Sequence, residues 1–508
     1  MSATDEKKSA LPDDDIAADT LPERTSRSDN EEIGIKETAD SAVVACPAHT
    51  TEARMLRRID MHVIPFVSVL YLLAFLDRVN VGNAKAFHLI DDLKLKGTEF
   101  NTVLTIFFIP YILLEIPSNV LLKKLSPRIW LSICCLGFGI VTTFQGLTQN
   151  YGGILATRFL LGVFECGMFP GCFYLISMWY KRSEAQKRYS FFFSSTSLAG
   201  AFGGLLASAI GKMDGVRGYS GWRWIFILEG LITVAFGLFF LFTFPSFPEE
   251  AKWLTPEEKA YVKARLRADQ GDNGADRKMK WADVVAVMSD YKIWLGGFMY
   301  FGMIVPAYGY AYFAPTIVGT YNYSAIQTQL HTVPPWAAAF VFSMVVAAAS
   351  DATRHRFLFT IIPICISISG LAILMVVHNN LPLQYGALFL TAMGAYSAMP
   401  VIVCWFSMNL GGHHRRAVGT AWQIGFGNIG GIIATYSFLP SDAPRYRKGY
   451  SIGLGFLCLA AASCVLYAGA LVWENKKKQK TLREREVVLT EDEKKYLGDL
   501  NPEFKYML

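Results

Sequence analysis

Four ionisable residues sit inside apolar stretches where a charge has no structural use of its own. Asp77 and Arg78 fall late in one such stretch, and Arg158 and Glu165 fall in another. A charge at the centre of a bilayer costs ~2.5–3.5 kcal/mol even by lenient scales, so such residues tend to be paired and functional. Arg158 and Glu165 are seven apart, close to two helical turns, which puts them on one helix face. A carboxylate beside an arginine can be held ionised, or it can take a proton when the arginine turns to an external anion. That exchange is what coupling a proton to an organic anion requires. A static ion pair fixing helix packing is the other reading of both Arg158–Glu165 and Asp77–Arg78. Glu115 and Glu229, also in apolar stretches, read more simply as structural.

The second half of the chain is chemically different. It has almost no membrane-depth charge but offers Tyr308, Tyr310, Tyr312, Trp336, Tyr396, Gln423 and Asn428. Tyr308 and Tyr312 are four apart and share a face. With Gln423 and Asn428 they are candidates to line a substrate path; ordinary interfacial tyrosines are the alternative. Pro306, Gly309 and Pro315 predict an irregular helix there, tolerated where neighbours or a cavity satisfy the backbone.

The elements that carry these groups follow from composition. Of 508 residues, 52% are hydrophobic and 18% charged, against about a quarter charged in soluble proteins. Apolar runs of membrane-crossing length recur, near 62–79, 100–122, 129–147, 154–178, 191–210 and 224–244. Six more lie near 293–318, 332–349, 357–377, 384–408, 418–439 and 450–473. In lipid such runs must be helices. The expected fold is an all-α membrane protein with twelve transmembrane helices in two pseudo-symmetric six-helix bundles. The expected organisation is a disordered tail over 1–55, bundles over 56–245 and 291–474, a linker over 246–290, and a second tail over 475–508. Within the linker, Thr255 and Pro256 predict a capped helix start.

Lys123, Lys124 and Arg128 occupy one set of alternating loops, as do Lys181, Arg182, Lys187, Arg188, Arg354, Arg356, Arg415 and Arg416. Lys476, Lys477, Lys478 and Lys480 continue that set. The positive-inside rule then predicts both termini in the cytoplasm, although Lys212, Arg217, Arg445, Arg447 and Lys448 fall on the other side. The one N-x-S/T sequon, at Asn322, lands in an expected outer loop and is a candidate glycosylation site. Internal duplication is visible: AGAFGGLLAS at 199–208 and FGNIGGIIAT at 426–435 share GxxGG, two aliphatics, Ala and Ser or Thr. Such small residues let helices approach closely. The nine cysteines form no CxxC pair, and His413–His414 belongs to a basic loop. No metal site, cofactor motif, P-loop or nucleophile elbow is present, which excludes the usual enzyme classes. The net charge of +6 is a topology signal and not a nucleic-acid stripe.

These residues carry a resemblance. YLLAFLDRVNVGNAK at 71–85, RFLLGVFECGMFPGCFYLISMWY at 158–180 and GWRWIFILEG at 221–230 resemble the major facilitator superfamily, specifically its anion:cation symporter branch. Within it the chain is similar to the fungal allantoate, nicotinate and pantothenate permeases. SDATRHR at 350–356 resembles the superfamily's D-x-x-x-R loop, giving Asp351 and Arg354 as gating-loop candidates; KKLSPR at 123–128 lacks the acidic residue. The resemblance implies proton coupling and carboxylate binding by Asp77, Arg78, Arg158 and Glu165. It further implies import of a small organic anion with protons by a monomer at the plasma membrane. An exporter on the same scaffold and a non-transporting nutrient receptor are the competing expectations. The fifth helix lacks the GPxxGG of exporters, and the tails are short for a receptor.

Overall fold

The computed structural model describes residues 46–270, 281–411, 413–484, 499 and 501–508. The N-terminal tail expected over 1–55 lies outside these residues as far as residue 45. Twelve long helical segments follow one another. They are α1 (Glu52–Lys85), α2 (Glu99–Thr105 and Phe108–Leu125), α3 (Pro127–Gln145), α4 (Tyr151–Glu165 and Met168–Ser177), α5 (Arg182–Ile210) and α6 (Gly221–Thr243). After the linker come α7 (Tyr291–Gly319), α8 (Ala325–Thr353), α9 (Arg356–Val376), α10 (Leu381–Met408), α11 (His413–Ser437) and α12 (Arg447–Glu484). Among the described residues, eleven stretches are long and apolar enough to cross a membrane; α11, rich in glycine and polar groups, is the one of the twelve outside that set. Several helices outrun their apolar runs. In α1 and α12 the polar turns beyond the run continue the helix, because packing and ion pairs outside the lipid support them.

Irregularity falls in other helices than expected. The helix predicted to be irregular, α7, runs unbroken through Pro306 and Pro315. Packing by α1, α10, α11 and α12 along its length holds it. The breaks fall instead in α2 around Ile106–Phe107 and in α4 at Cys166–Gly167.

The bundle is apolar outside and charged inside. Leu113, Ile116, Phe242 and Val376 are 68–76% exposed, whereas Asp77, Arg78, Arg158 and Glu165 are at most 2% exposed. That inversion is the pattern expected of a protein whose solvent is lipid.

The repeated glycine motifs explain how the halves meet. On α5, a Cβ at Gly203 would touch Leu76 and Asn83 of α1, while one at Gly200 would run into the Trp336 ring of α8 at 2.3 Å. On α11, a Cβ at Gly430 would touch Val305 of α7, and one at Gly431 would strike Phe108 of α2 at 2.3 Å. Each motif therefore seats its helix on the first helix of its own half and on the second helix of the other. Side-chain hydrogen bonds add to the seam between halves. Thr105 bonds Thr435 at 2.6 Å, Ser194 bonds Ser343 at 2.8 Å, and Gln329 donates to the Asn83 carbonyl at 3.3 Å. Asn101 donates to the Thr435 carbonyl. The bonds of Asn101, Thr105 and Gln329 lie towards the face opposite the described chain ends, called here the far face, and the Ser194–Ser343 bond lies nearer the face of the chain ends.

The face that carries the chain ends is tied by charge. The linker helix Pro256–Gln270 starts as predicted, with Thr255 accepting from the Glu258 amide and Glu258 accepting from the Thr255 amide. Arg265 on it reaches Glu52 at 3.1 Å and Glu184 at 2.8 Å, and Glu258 binds Arg58 at 3.1 Å. Beside the second half, residue 499 and residues 501–508 lie against the bundle. The Trp405 indole donates to the Met507 carbonyl at 2.9 Å, Arg415 pairs with Asp499 at 2.7 Å, and Lys292 donates to the Tyr506 hydroxyl at 2.8 Å.

Two outcomes follow. Gly431→Val should lower the thermal midpoint of the solubilised full chain, since overpacking costs about 1–3 kcal/mol; Phe108→Ala in the same chain should recover part of the loss. Burial pushes Glu258 up, but the Thr255 amide, Arg58 and His49 outweigh it and hold its carboxyl below the usual range. A depressed folded-state value stabilises above the ordinary carboxylate range and stops doing so as pH falls through it. Amide-exchange protection in Pro256–Gln270, taken relative to the intrinsic rate at each pH, should therefore be high at neutral pH and fall under acid conditions, while Glu258→Gln lowers it already at neutrality.

Candidate functional site

The interior charges converge where α1, α4 and α7 meet. Adjacent residues on a helix point about 100° apart, so Asp77 and Arg78 leave α1 in different directions. Arg78 turns to α4 and α7. Its Nε and Nη2 donate to Glu165 Oε2 at 2.9 and 2.6 Å, and its Nη1 donates to the Tyr308 hydroxyl at 2.6 Å. The guanidinium lies 4.8 Å from the centroids of both Phe107 and Tyr111 on α2. Delocalised and weakly hydrated, a guanidinium suits contact with such neighbouring rings better than an ammonium would. One arginine thus ties three helices of the first half to a tyrosine of the second.

The ion pair does not follow the spacing in sequence. Arg158 and Glu165 share a helix, yet Glu165 pairs with Arg78, 87 residues away. Arg158 Nη1 donates to the Arg78 carbonyl at 3.2 Å, and its Nε and Nη2 have no hydrogen-bond partner. Neither does Glu165 Oε1. The physical reason is reach: α4 ends its first segment at Glu165, and the turn there leaves the carboxylate facing α1. The site therefore holds one satisfied cation, one cation with two open donor nitrogens, and a carboxylate with one open oxygen.

Asp77 faces the other way, towards α3 and α6. Both its oxygens are buried without a hydrogen-bond partner, although the hydroxyls of Thr142 and Thr233 face it. Glu229 of α6 lies close enough for the two charges to interact and accepts from Asn80 of α1. That partner is itself a membrane-depth residue of the first half. Asp77 and Glu229 form a second acidic layer behind the Arg78 site. Glu115, on α2, is also buried with one open oxygen.

From the second half, Tyr308 and Tyr312 stack with ring centroids 5.6 Å apart, and Phe108 packs edge-on against both. Both tyrosines thus border the Arg78 site. Gln423 is placed elsewhere: its amide donates to the Gly296 carbonyl at 3.1 Å, tying α11 to α7. Asn428 is buried on the same helix. Of the two gating-loop candidates, Asp351 pairs at 2.8 Å with Arg356. Arg354 ends α8 in a left-handed conformation, φ +56°, and is exposed, so its side chain is turned out of the pair. Asn322 is exposed on the far-face loop between α7 and α8. Among the described residues no group of three His, Cys, Asp or Glu could hold a metal ion.

Phe107, Tyr111 and Asn80 were not legible as site residues from sequence. One signal could have found more. Tyr71, Arg78 and Lys85 recur every seven residues along α1 and so mark a single face.

Comparison with known proteins agrees with this architecture. The family described as Major Facilitator Superfamily matches residues 67–435. The chain is 33% identical over 468 residues to the MFS-type transporter cnsO of Penicillium expansum, covering 90% of each chain. It is 32% identical over 476 residues to a high-affinity nicotinic acid transporter of Saccharomyces cerevisiae, covering 92% of this chain and 88% of that one. Among solved structures, the D-xylose-proton symporter superposes with a TM-score of 0.61 at 15% identity, over 80% of this chain and 97% of that one. A bacterial homologue of the human lysosomal transporter Spinster, in an inward-facing unoccupied conformation, gives 0.59 at 16% identity, over 80% and 96%.

Removing one partner of a buried pair leaves a bare charge, at about 3–5 kcal/mol. Glu165→Ala should accordingly lower the thermal midpoint of the solubilised chain sharply. The double variant Arg78→Met, Glu165→Leu should recover most of that stability while abolishing transport. Equal instability of the single and double variants would show that the pair does not govern stability.

Proposed function

Because the chain belongs to the major facilitator superfamily, we propose that it imports a small organic carboxylate together with protons, by alternating access, with both termini in the cytoplasm of a plasma-membrane transporter. The observation that carries this reading is the buried Arg78–Glu165 pair, reached by Tyr308 from the opposite half. A substrate carboxylate and Glu165 compete for the same guanidinium. Protonation of Glu165 removes its charge and releases Arg78, and a substrate carboxylate then restores charge balance. Arg158, with two open donor nitrogens, supplies the second cation for a carboxylate that enters between the halves. Tyr308 senses the exchange directly, because its hydroxyl accepts from Arg78. Asp77 and Glu229, both buried, form the second proton-accepting layer.

Rocking of the two halves about this midplane site supplies alternating access. The far-face bonds of Asn101, Thr105 and Gln329 across the seam keep that side closed in this conformation. The far face, being the poorer in basic loops, is assigned to the outside, which also puts exposed Asn322 where a glycan could be attached. The named nicotinic acid relative supports a carboxylate as the cargo class, and nicotinate is the first compound to test.

The test is labelled-nicotinate flux in proteoliposomes containing the full chain, with acetate-sized, ureide and aromatic carboxylates as alternatives. Glu165→Gln should abolish accumulation driven by an acid exterior while leaving exchange of internal for external substrate intact. Unchanged acid-driven accumulation of every transported anion in Glu165→Gln would sink the coupling role.

A further inference from the structure

The face of α1 that carries Arg78 does not end there. Seven residues on, and so two turns nearer the far face, stands Lys85. On α7 the residues Tyr308, Tyr312 and Thr316 recur every four and also share a face. The two faces run in register. Arg78 meets Tyr308, a Cβ at Gly82 would lie 2.5 Å from the Tyr312 carbonyl oxygen, and Lys85 and Thr316 line one cavity. That cavity has a volume of about 240 Å³ and is bounded by the far ends of α1 and α7 and the first turn of α8, with Thr328 and Tyr323 among its walls. A single water needs only ~10–15 Å³ on this measure, so the space admits an organic anion.

Three features of this cavity point to an anion. Lys85 is half-buried and has no hydrogen bond or ion pair among the described residues; its ammonium lies 5.0 Å from the Phe100 ring and 5.9 Å from the Phe313 ring. Aromatic faces attract a cation without neutralising it. The Thr316 hydroxyl is buried and has no hydrogen-bond partner, although buried hydroxyls are nearly always satisfied. The first turn of α8, a 29-residue helix, faces the cavity with the positive end of its dipole. An open cation, an open hydroxyl and a helix N-terminus around one cavity make a receptor for a carboxylate.

We propose that Lys85 and Thr316 form an outer capture site for the small carboxylate, separated from the Arg78 site by the Gly82–Tyr312 contact. This deepens the transport reading and rests on its assignment of the far face to the outside. The anion binds first to Lys85, losing part of its hydration among the Phe100 and Phe313 rings. When α1 and α7 part at Gly82 and Tyr312, it moves two helical turns inward to Arg78 and Arg158. Lys85 therefore sets how well dilute substrate is captured and leaves the coupling chemistry to the deeper pair.

The test is lysine acylation of the purified full chain in lipid nanodiscs. The reagent is a water-soluble acetylating ester, and Lys85 and Lys212 are quantified by peptide mass spectrometry. Lys212 is exposed near the same face and serves as the internal reference. Millimolar nicotinate or benzoate should slow acetylation of Lys85 several-fold, with no change at Lys212, and nicotinamide should do nothing. Thr316→Val should weaken the protection. In flux measurements Lys85→Met should raise KM several-fold with kcat retained, the signature of lost initial binding, and Lys85→Arg should restore it. Equal acetylation with and without carboxylate, equal protection by nicotinamide, or protection by chloride alone overturns the proposal. Protection of Lys85 combined with unchanged accumulation in Glu165→Gln would sink the coupling scheme and keep the capture site; the converse pair of results would sink the capture site and keep the scheme.

Discussion

A buried guanidinium that must be neutralised organises this molecule. Arg78 sits in an apolar interior and draws Glu165 from α4, Tyr308 from α7 and two aromatic rings from α2 to itself. Desolvating such a pair offsets most of its Coulomb gain, so it adds little net stability. Its consequence is positional. Every partner is held by the cost of leaving the charge bare, and the closed seam between α1 and α7 has its register fixed there. Gly82 against Tyr312 and Lys85 beside Thr316 follow from that same register.

The two halves divide the labour unequally although they share one architecture. Glycine motifs on α5 and α11 perform the same packing in both, each seating a helix across the seam. Small residues are needed because helices in lipid gain nothing from the hydrophobic effect and associate by close contact instead. Among the described residues, charge at membrane depth, in contrast, falls on α1, α2, α4 and α6. The tyrosines of α7 answer it across the seam with hydroxyls and ring faces. A seam with ionisable groups on one side only can change its protonation state without creating like-charge repulsion across the gap.

Outside the lipid, a different set of forces applies. The linker helix, residue 499 and residues 501–508 are held by ion pairs, hydrogen bonds and capping at the face of the chain ends. Each clasps its own half, the linker helix through α1 and α5 and the tail through α7, α9, α10, α11 and α12. These ties can persist while the halves rock, because they do not join one half to the other.

Membrane class, helix number, the linker helix start at Thr255 and the internal duplication were legible in the sequence. Each rests on local or periodic signals: run length, a cap, a repeated glycine pattern. The candidate charges were legible too, since a lone arginine in an apolar run is conspicuous whatever the fold. Their partners were not. Spacing suggested Arg158 with Glu165, whereas the structure joins Arg78 to Glu165 and pairs Asp351 with Arg356. It also straightens α7 and breaks α2 and α4. Sequence spacing reports only which residues share a helix face. Which face meets which, and so which of two cations a carboxylate neutralises, is decided by helix rotation and depth in the assembled bundle. Only the tertiary structure holds that information.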